Sequence, residues 1–231
     1  MKWTPWIVLS IVSGLTLAAC TTMPDWLENW SSSFGEQLEI DSDSSTEDET
    51  PPESEAGREL PPTKLTLVMV DGQPTEVELE LFDHPGFPLT LYTPKGEFSR
   101  LFETIGDTQS VQFNQTQDNG EPDPSIYLQI VVPVGEVTVD ELRDRILGNN
   151  GILANRRWQM VDRTRVLTYT WADERIDFQH AVGETIYRGS LFLGDRDGQP
   201  FYALTHYPQA IAPSINPRLS MILDTIDRRD I

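Results

Sequence analysis

The chain has 231 residues and a formal net charge of −20, with 37 acidic against 17 basic residues, which excludes nucleic acid and anionic headgroups as natural partners because phosphate binding needs clustered Lys and Arg. A basic protein surface or divalent cations suit it better, although the simplest account of the acidity is solubility alone. One cysteine rules out an internal disulfide, so a composition of 38 % hydrophobic residues must supply stability through a packed core.

From the N-terminus, Lys2 precedes an apolar run at residues 7–19 that closes on small side chains, the plan of a secretory leader. The run is too short to span a bilayer as a helix. Leu17-Ala18-Ala19-Cys20 resembles the lipobox of bacterial lipoproteins, which implies that residues 1–19 are a signal peptide and that the Cys20 thiol is acylated. At about 0.8 kcal/mol per buried CH₂, two or three acyl chains hold a protein stably on a membrane. Thr21 after the cysteine points to the periplasmic face of an outer membrane; in a photosynthetic host the thylakoid lumen is equally open.

Residues 20–34 form the lipidated N-terminus, where Met23, Trp26, Leu27, Trp30 and Phe34 recur at spacings of three and four. This is the pattern of a short helix at headgroup level, or of one that docks on the domain. Residues 35–62 are rich in Ser, Glu, Asp and Pro, and read as a disordered acidic tether that cannot bury enough surface to offset its ordering entropy. Residues 21–62 hold twelve acids and one base, so half of the charge sits in a quarter of the chain.

Residues 63–231 have the composition of one globular domain. Leu65, Leu67 and Met69 alternate with Thr66 and Val68 up to Asp71-Gly72, a hairpin turn, after which Val77, Leu79 and Leu81 alternate with Glu76, Glu78 and Glu80. Strands are expected at 87–92 and 111–113, then a polar loop at 118–123, then an apolar central strand at 126–132. Thr138 and Glu141 form a capping box for a helix that buries Val139, Leu142 and Ile146 and stops at Gly148-Asn149-Asn150-Gly151. Residues 158–161 and 166–171 read as a hairpin across Asp162-Arg163-Thr164. Strands at 176–182, 187–193 and 201–207 follow, the last two joined by a turn at Asp195–Gly198. Asn216 caps a final helix with Pro217 in its first turn, burying Leu219, Ile222, Leu223 and Ile226.

This succession defines an α+β class, a twisted antiparallel sheet covered by helices. The segment Leu89-Thr90-Leu91-Tyr92-Thr93-Pro94 with Phe98, the strand Ile126-Tyr127-Leu128-Gln129-Ile130, the helix at 138–147 and Phe201-Tyr202-Ala203-Leu204-Thr205 resemble the PsbP-like family of extrinsic photosystem proteins and their bacterial relatives. That resemblance spans residues 87–228 and implies an α/β/α sandwich and a non-enzymatic binding or assembly role. It carries over no site residue.

Signatures of the best-marked enzyme classes, G-x-S-x-G, H-E-x-x-H, a Walker loop and C-x-x-C, do not occur. His180 shares a strand face with Ile176, Phe178 and Val182, and His206 shares one with Tyr202 and Leu204, so both read as hydrogen-bonded core histidines. His84 stands in a turn. A hydrolase would pair Ser190 with His180 and Asp177. Asp195, Asp197 and Gly198 mimic part of an EF-hand loop but place Leu193 and Leu204 at its obligatory ligand positions, which leaves a hairpin turn. The candidate metal ligands are Asp118, Glu121 and Asp123, on a loop able to collect Ca²⁺ weakly; no other cofactor is expected. The doublets Arg156-Arg157 and Arg228-Arg229 are expected to pair within the fold or with the tether. Trp158 and Trp171, with the apolar run from Tyr207 to Pro213, either mark a contact surface or fill the core, as large aromatics in a domain of this size usually do. The favoured function is a lipid-anchored envelope protein that binds or assembles another protein without catalysis; the alternatives are a small-molecule or cation-binding lipoprotein and a cryptic hydrolase.

Overall fold

The computed structural model describes residues 60–70 and 73–229. The leader, Cys20, the patterned segment at 20–34 and all of the acidic tether before residue 60 lie outside the described residues. None of the described helices is long and apolar enough to cross a membrane.

The chain begins with β1 (Thr63–Val70) and β2 (Gln73–Phe82), paired antiparallel from Thr63↔Glu80 to Val70↔Gln73. The alternation in β2 works as the sequence suggests: Leu79 is buried while Glu76 and Glu78 are exposed. β3 (Leu89–Pro94) pairs with β2 and with the two-residue β11 (Asp227–Arg228), closing a four-stranded sheet in the order β1-β2-β3-β11. The remaining strands are β4 (Phe98–Ile105), β5 (Thr108–Thr116), β6 (Pro122–Pro133), β7 (Gln159–Thr164), β8 (Ala172–Val182), β9 (Thr185–Arg196) and β10 (Gln199–Pro208). They form a seven-stranded sheet in the order β4-β5-β6-β10-β9-β8-β7, with each neighbouring pair antiparallel. β6, apolar at nearly every position, lies in its interior as expected.

Three α-helices, α1 (Val139–Leu147), α2 (Ile152–Asn155) and α3 (Ala212–Asp224), and a 3-10 turn at Gln209–Ile211 accompany the sheets among the described residues. In α1 the Thr138 hydroxyl accepts from the Glu141 N–H while the Glu141 carboxylate accepts from the Thr138 N–H at 2.7 Å, the reciprocal box read from the sequence. Leu142 and Ile146 are buried against the β9–β10 side of the large sheet.

The expected class, an α+β sandwich whose sheet is covered by helices, is corrected by these proportions. Strands hold 56 % of the described residues and helices 17 %, and there are two sheets rather than one, so the class is mostly β. The physical reason is length: helices of nine, four and thirteen residues cannot cover seven strands, so β2 and β3 supply part of the covering surface themselves. Phe82, Phe87, Leu89 and Leu91 share one core with Val111, Phe113, Leu128 and Phe201 of the large sheet and with Leu219, Ile222 and Leu223 of α3.

Three local expectations also change. β4 is a full strand, although its half-exposed pattern at the sheet edge gives little alternation in sequence. β7 runs straight through Asp162-Arg163-Thr164 to pair with β8, Gln159 opposite Gln179, and residues 166–171 are a strap rather than a strand. Trp171 anchors that strap by donating its indole N–H to the Leu223 carbonyl at 3.0 Å. α3 begins at Ala212, with Pro213 in its first turn and Pro217 inside it, so Asn216 is not its cap.

Candidate functional site

Alternate residues of adjacent strands face the same way, and at one end of the large sheet this rule builds a wall of rings. Tyr127 on β6 stands opposite His206 on β10, and His180 on β8 stands opposite Tyr187 on β9. Tyr127 stacks on His206 at 4.9 Å between centroids, Tyr187 on His206 at 5.1 Å and Tyr187 on His180 at 5.2 Å. Trp158 extends the row: its indole lies nearly parallel to Phe178 at 4.1 Å and close to His180 at 5.4 Å. Arg156, just past α2, covers the Trp158 ring at 4.6 Å and donates to the Tyr127 hydroxyl at 3.2 Å. Gly189 sits within the wall because a Cβ there would overlap the Thr205 carbonyl and the Phe178 ring. Tyr127 and His206 are buried, whereas Arg156, Trp158, His180 and Tyr187 are half-buried.

Hydrogen bonding fixes the protons. His206 Nδ1 lies 2.8 Å from the Ser125 carbonyl oxygen, which only accepts, so Nδ1 carries the hydrogen. The neutral ring then has a lone pair on Nε2, which accepts from His180 Nε2–H at 2.9 Å. Burial, with the charge of Arg156 and the neighbouring His180, holds His206 down to about 4 against the opposing pull of the Ser125 bond. His180 is lowered in turn by burial and by Arg156. Burial raises the Tyr127 hydroxyl, and Arg156 offsets part of that rise. The wall is therefore a neutral aromatic surface with one guanidinium at its rim.

The residues singled out in the sequence lie elsewhere or combine differently. Asp118 and Glu121 are on the β5–β6 loop, where Glu121 accepts from Asn119 Nδ2 at 3.1 Å, whereas Asp123 is already in β6 and accepts from Ser125 N–H and O–H at 2.8 and 2.7 Å. No group of three or more His, Cys, Asp or Glu among the described residues is placed to hold a metal. Ser190 donates to Asp177 at 2.6 Å, but both point to the α3 side of the sheet while His180 points to the other, so the three cannot form a triad. His84 occupies its turn, its ring tilted against Phe102 at 4.1 Å between centroids. Asp197 and Gly198, both at positive φ, make the β9–β10 hairpin turn. Arg229 pairs with Asp83 at 2.7 Å and Arg228 donates to the Asp197 carbonyl, so that doublet is engaged within the fold.

A separate cavity of about 330 Å³ opens between α3 and the large sheet, beneath the strap at 166–169. Arg175, Ser190, Thr205, Tyr207 and Asn216 contribute its polar lining, and Phe192 and Leu219 contribute its apolar part. Arg175 pairs with Asp177 at 3.1 Å through one terminal nitrogen, while its Nε is buried without a hydrogen-bond acceptor. Sequence reasoning placed His180 and His206 on apolar faces but did not join them, because β9 separates their strands in the sheet; Tyr127 and Tyr187 could have been found from the same alternation.

No family model matches the chain, and no curated protein matches it. Among solved structures it is similar to a protein from Bacteroides thetaiotaomicron VPI-5482 (16 % identity, TM-score 0.42), covering 65 % of this chain and 48 % of that one, so it spans about half the length of that protein. It is similar to cyanobacterial PsbP (CyanoP) from Synechocystis sp. PCC 6803 (9 % identity, TM-score 0.45), covering 65 % of this chain and 92 % of that one. It is also similar to PA94, a protein of unknown function from Pseudomonas aeruginosa (13 % identity, TM-score 0.38), covering 66 % of this chain and 99 % of that one. The resemblance to the PsbP-like family read from the sequence thus has a counterpart among solved structures, as a weak likeness of fold that decides nothing about function.

Proposed function

We propose that the mature protein is a lipid-anchored envelope protein, attached through Cys20, whose domain binds or helps assemble another protein and catalyses no reaction of its own. The observation that supports this reading is the ring wall. Arg156, Trp158 and Tyr187 are of the residue types that carry most of the energy in protein interfaces, and Val182, two residues beyond His180 on the same face, is exposed beside them. Stacking already fixes their rotamers, which lowers the entropy cost of docking. The acidic chain would steer a basic protein toward this surface.

Co-purification from detergent-solubilised native membranes tests it. A stoichiometric partner retained by the wild type and lost on Arg156→Glu or Val182→Asp supports the reading; retention by both variants removes the wall from it. A second reading, a small-molecule-binding lipoprotein, is favoured by the buried Arg175 Nε facing no acceptor beside a cavity. A monomer that carries a small molecule through purification, and loses it on Arg175→Met, would establish that reading instead.

A further inference from the structure

Among the described residues β1 pairs with β2 along one side and the four-stranded sheet ends there, leaving a row of backbone N–H and C=O groups along its other side. On the outer face of this edge Leu65, Leu67 and Met69 are 65, 71 and 59 % exposed, whereas Lys64, Thr66 and Val68 are half-buried on the inner face. Other edges among the described residues carry guards: β7 has a bulge between Met160 and Asp162 and the charges of Asp162 and Arg163, β4 has Arg100 and Glu103, and β11 is two residues long. The one charge on β1, Lys64, is turned inward with its Nζ 3.9 Å from the Tyr92 ring centroid. An eight-residue edge strand with an exposed apolar face and no guard is a template for another strand.

We propose that this strand is β1 of a second copy, paired antiparallel about a two-fold axis at Leu67, so that two four-stranded sheets become one of eight. The residues of β1 are self-complementary about that position. Leu67 meets its own symmetry mate, Leu65 meets Met69, and on the inner face Thr66 meets Val68, a pair of β-branched side chains suited to neighbouring strands. Charge does not prevent the approach. Glu76 and Glu78 stand opposite Leu67 and Leu65 on β2, but in the joined sheet the two β2 strands are three spacings apart, about 14 Å, beyond a Debye length of ~8 Å. Glu78 and Glu80 are moreover paired with Lys95 and Arg100.

The contact is small. Lateral pairing covers the flanks of the three exposed side chains, at most about 350 Å² of apolar surface per copy against ~800 Å² per partner for a stable complex, so the dimer is reversible and depends on concentration.

The test uses the full chain carrying Cys20→Ser, which removes its only cysteine. Sedimentation equilibrium from about 10 μM to about 1 mM is expected to show a monomer–dimer equilibrium, weakened about tenfold or more by Leu67→Lys, a change at an exposed site that leaves the unfolding midpoint in place. Leu67→Cys is expected to bridge two copies in air, since directly opposed antiparallel residues have Cα atoms about 4.5–5.5 Å apart, within disulfide range. Val166→Cys, at an exposed position outside every strand, serves as the collision control. A monomer throughout the range, a dimer indifferent to Leu67→Lys, or bridging at position 67 no faster than at position 166 would each overturn the proposal. The first outcome would leave β1 as an edge for a foreign strand.

Discussion

Replacing His206 with Asn tests the ring wall through the pH dependence of stability. The amide keeps an N–H donor toward the Ser125 carbonyl and removes the titrating ring. In the folded chain His206 is held down to about 4, against an ordinary value of 6.5 in the unfolded chain. The folded value is the lower one, so the unfolded chain takes the proton first. Stability is therefore full above about pH 6.5 and is lost as the pH falls toward 4. At 1.36 kcal/mol per unit the loss is about 3 kcal/mol below pH 4 and about 2 kcal/mol at pH 5. His180, also lowered, acts in the same direction, and a proton on both rings would set two N–H groups face to face across the 2.9 Å contact. The assay is urea unfolding at a series of pH values from about 7.5 to 4.5, read by circular dichroism and compared between the wild type and His206→Asn. The wild type should lose stability relative to the variant as the solution is acidified through that window. Parallel losses in the two proteins would refute the assigned tautomers and the burial argument together.

Other expected outcomes concern the buried Glu174 held between Arg143 and Arg163, the close strand approach at Gly189 and the helix cap. Glu174, 0 % exposed, accepts from Arg143 at 2.6 Å and from Arg163; burial pushes its carboxyl up, but the hydrogen bonds and charges of Arg163 and Arg143 outweigh that and hold it below the usual range. Its contribution is present above about pH 4.5 and lost as the pH falls through its folded value, and Glu174→Leu should cost about 2–3 kcal/mol in urea unfolding at pH 7, the low end for a broken buried pair because both arginines reach water. Gly189→Ala should cost more than about 3 kcal/mol, since its Cβ would meet the Thr205 carbonyl, a backbone atom that cannot rotate away; a thermal midpoint within a degree of wild type would show that β9 and β10 can separate. Thr138→Ala should cost about 1 kcal/mol by removing the capping box of α1, and Thr138→Ser should restore most of it.

Local signals in the sequence located most elements because they arise between residues close in the chain. The Thr138–Glu141 box closes over three residues, the Asp197-Gly198 turn over two, and the Glu76–Glu78–Glu80 alternation in β2 over four. The apolar and aromatic residues at 166–171 carry β propensity and predict a strand where the structure has a strap. What overrides that propensity is the Trp171 bond to Leu223, 52 residues away, which no window of sequence contains. β4 was missed for the opposite reason: at a sheet edge, one face has little to bury and the alternation fades.

By itself the sequence determined the acidity of the chain, its cysteine inventory, the faces of β2 and of α1, and the apolar environment of His180 and His206. Tertiary structure alone decided that there are two sheets, that β8 and β10 flank β9 so that the two histidines meet, and that Ser190 and His180 lie on opposite sides of one sheet. Strand order is the physical reason. A period-two pattern says which face a side chain takes, but which strands become neighbours is fixed by how the apolar faces of β2, β3, α3 and the large sheet fill one common core.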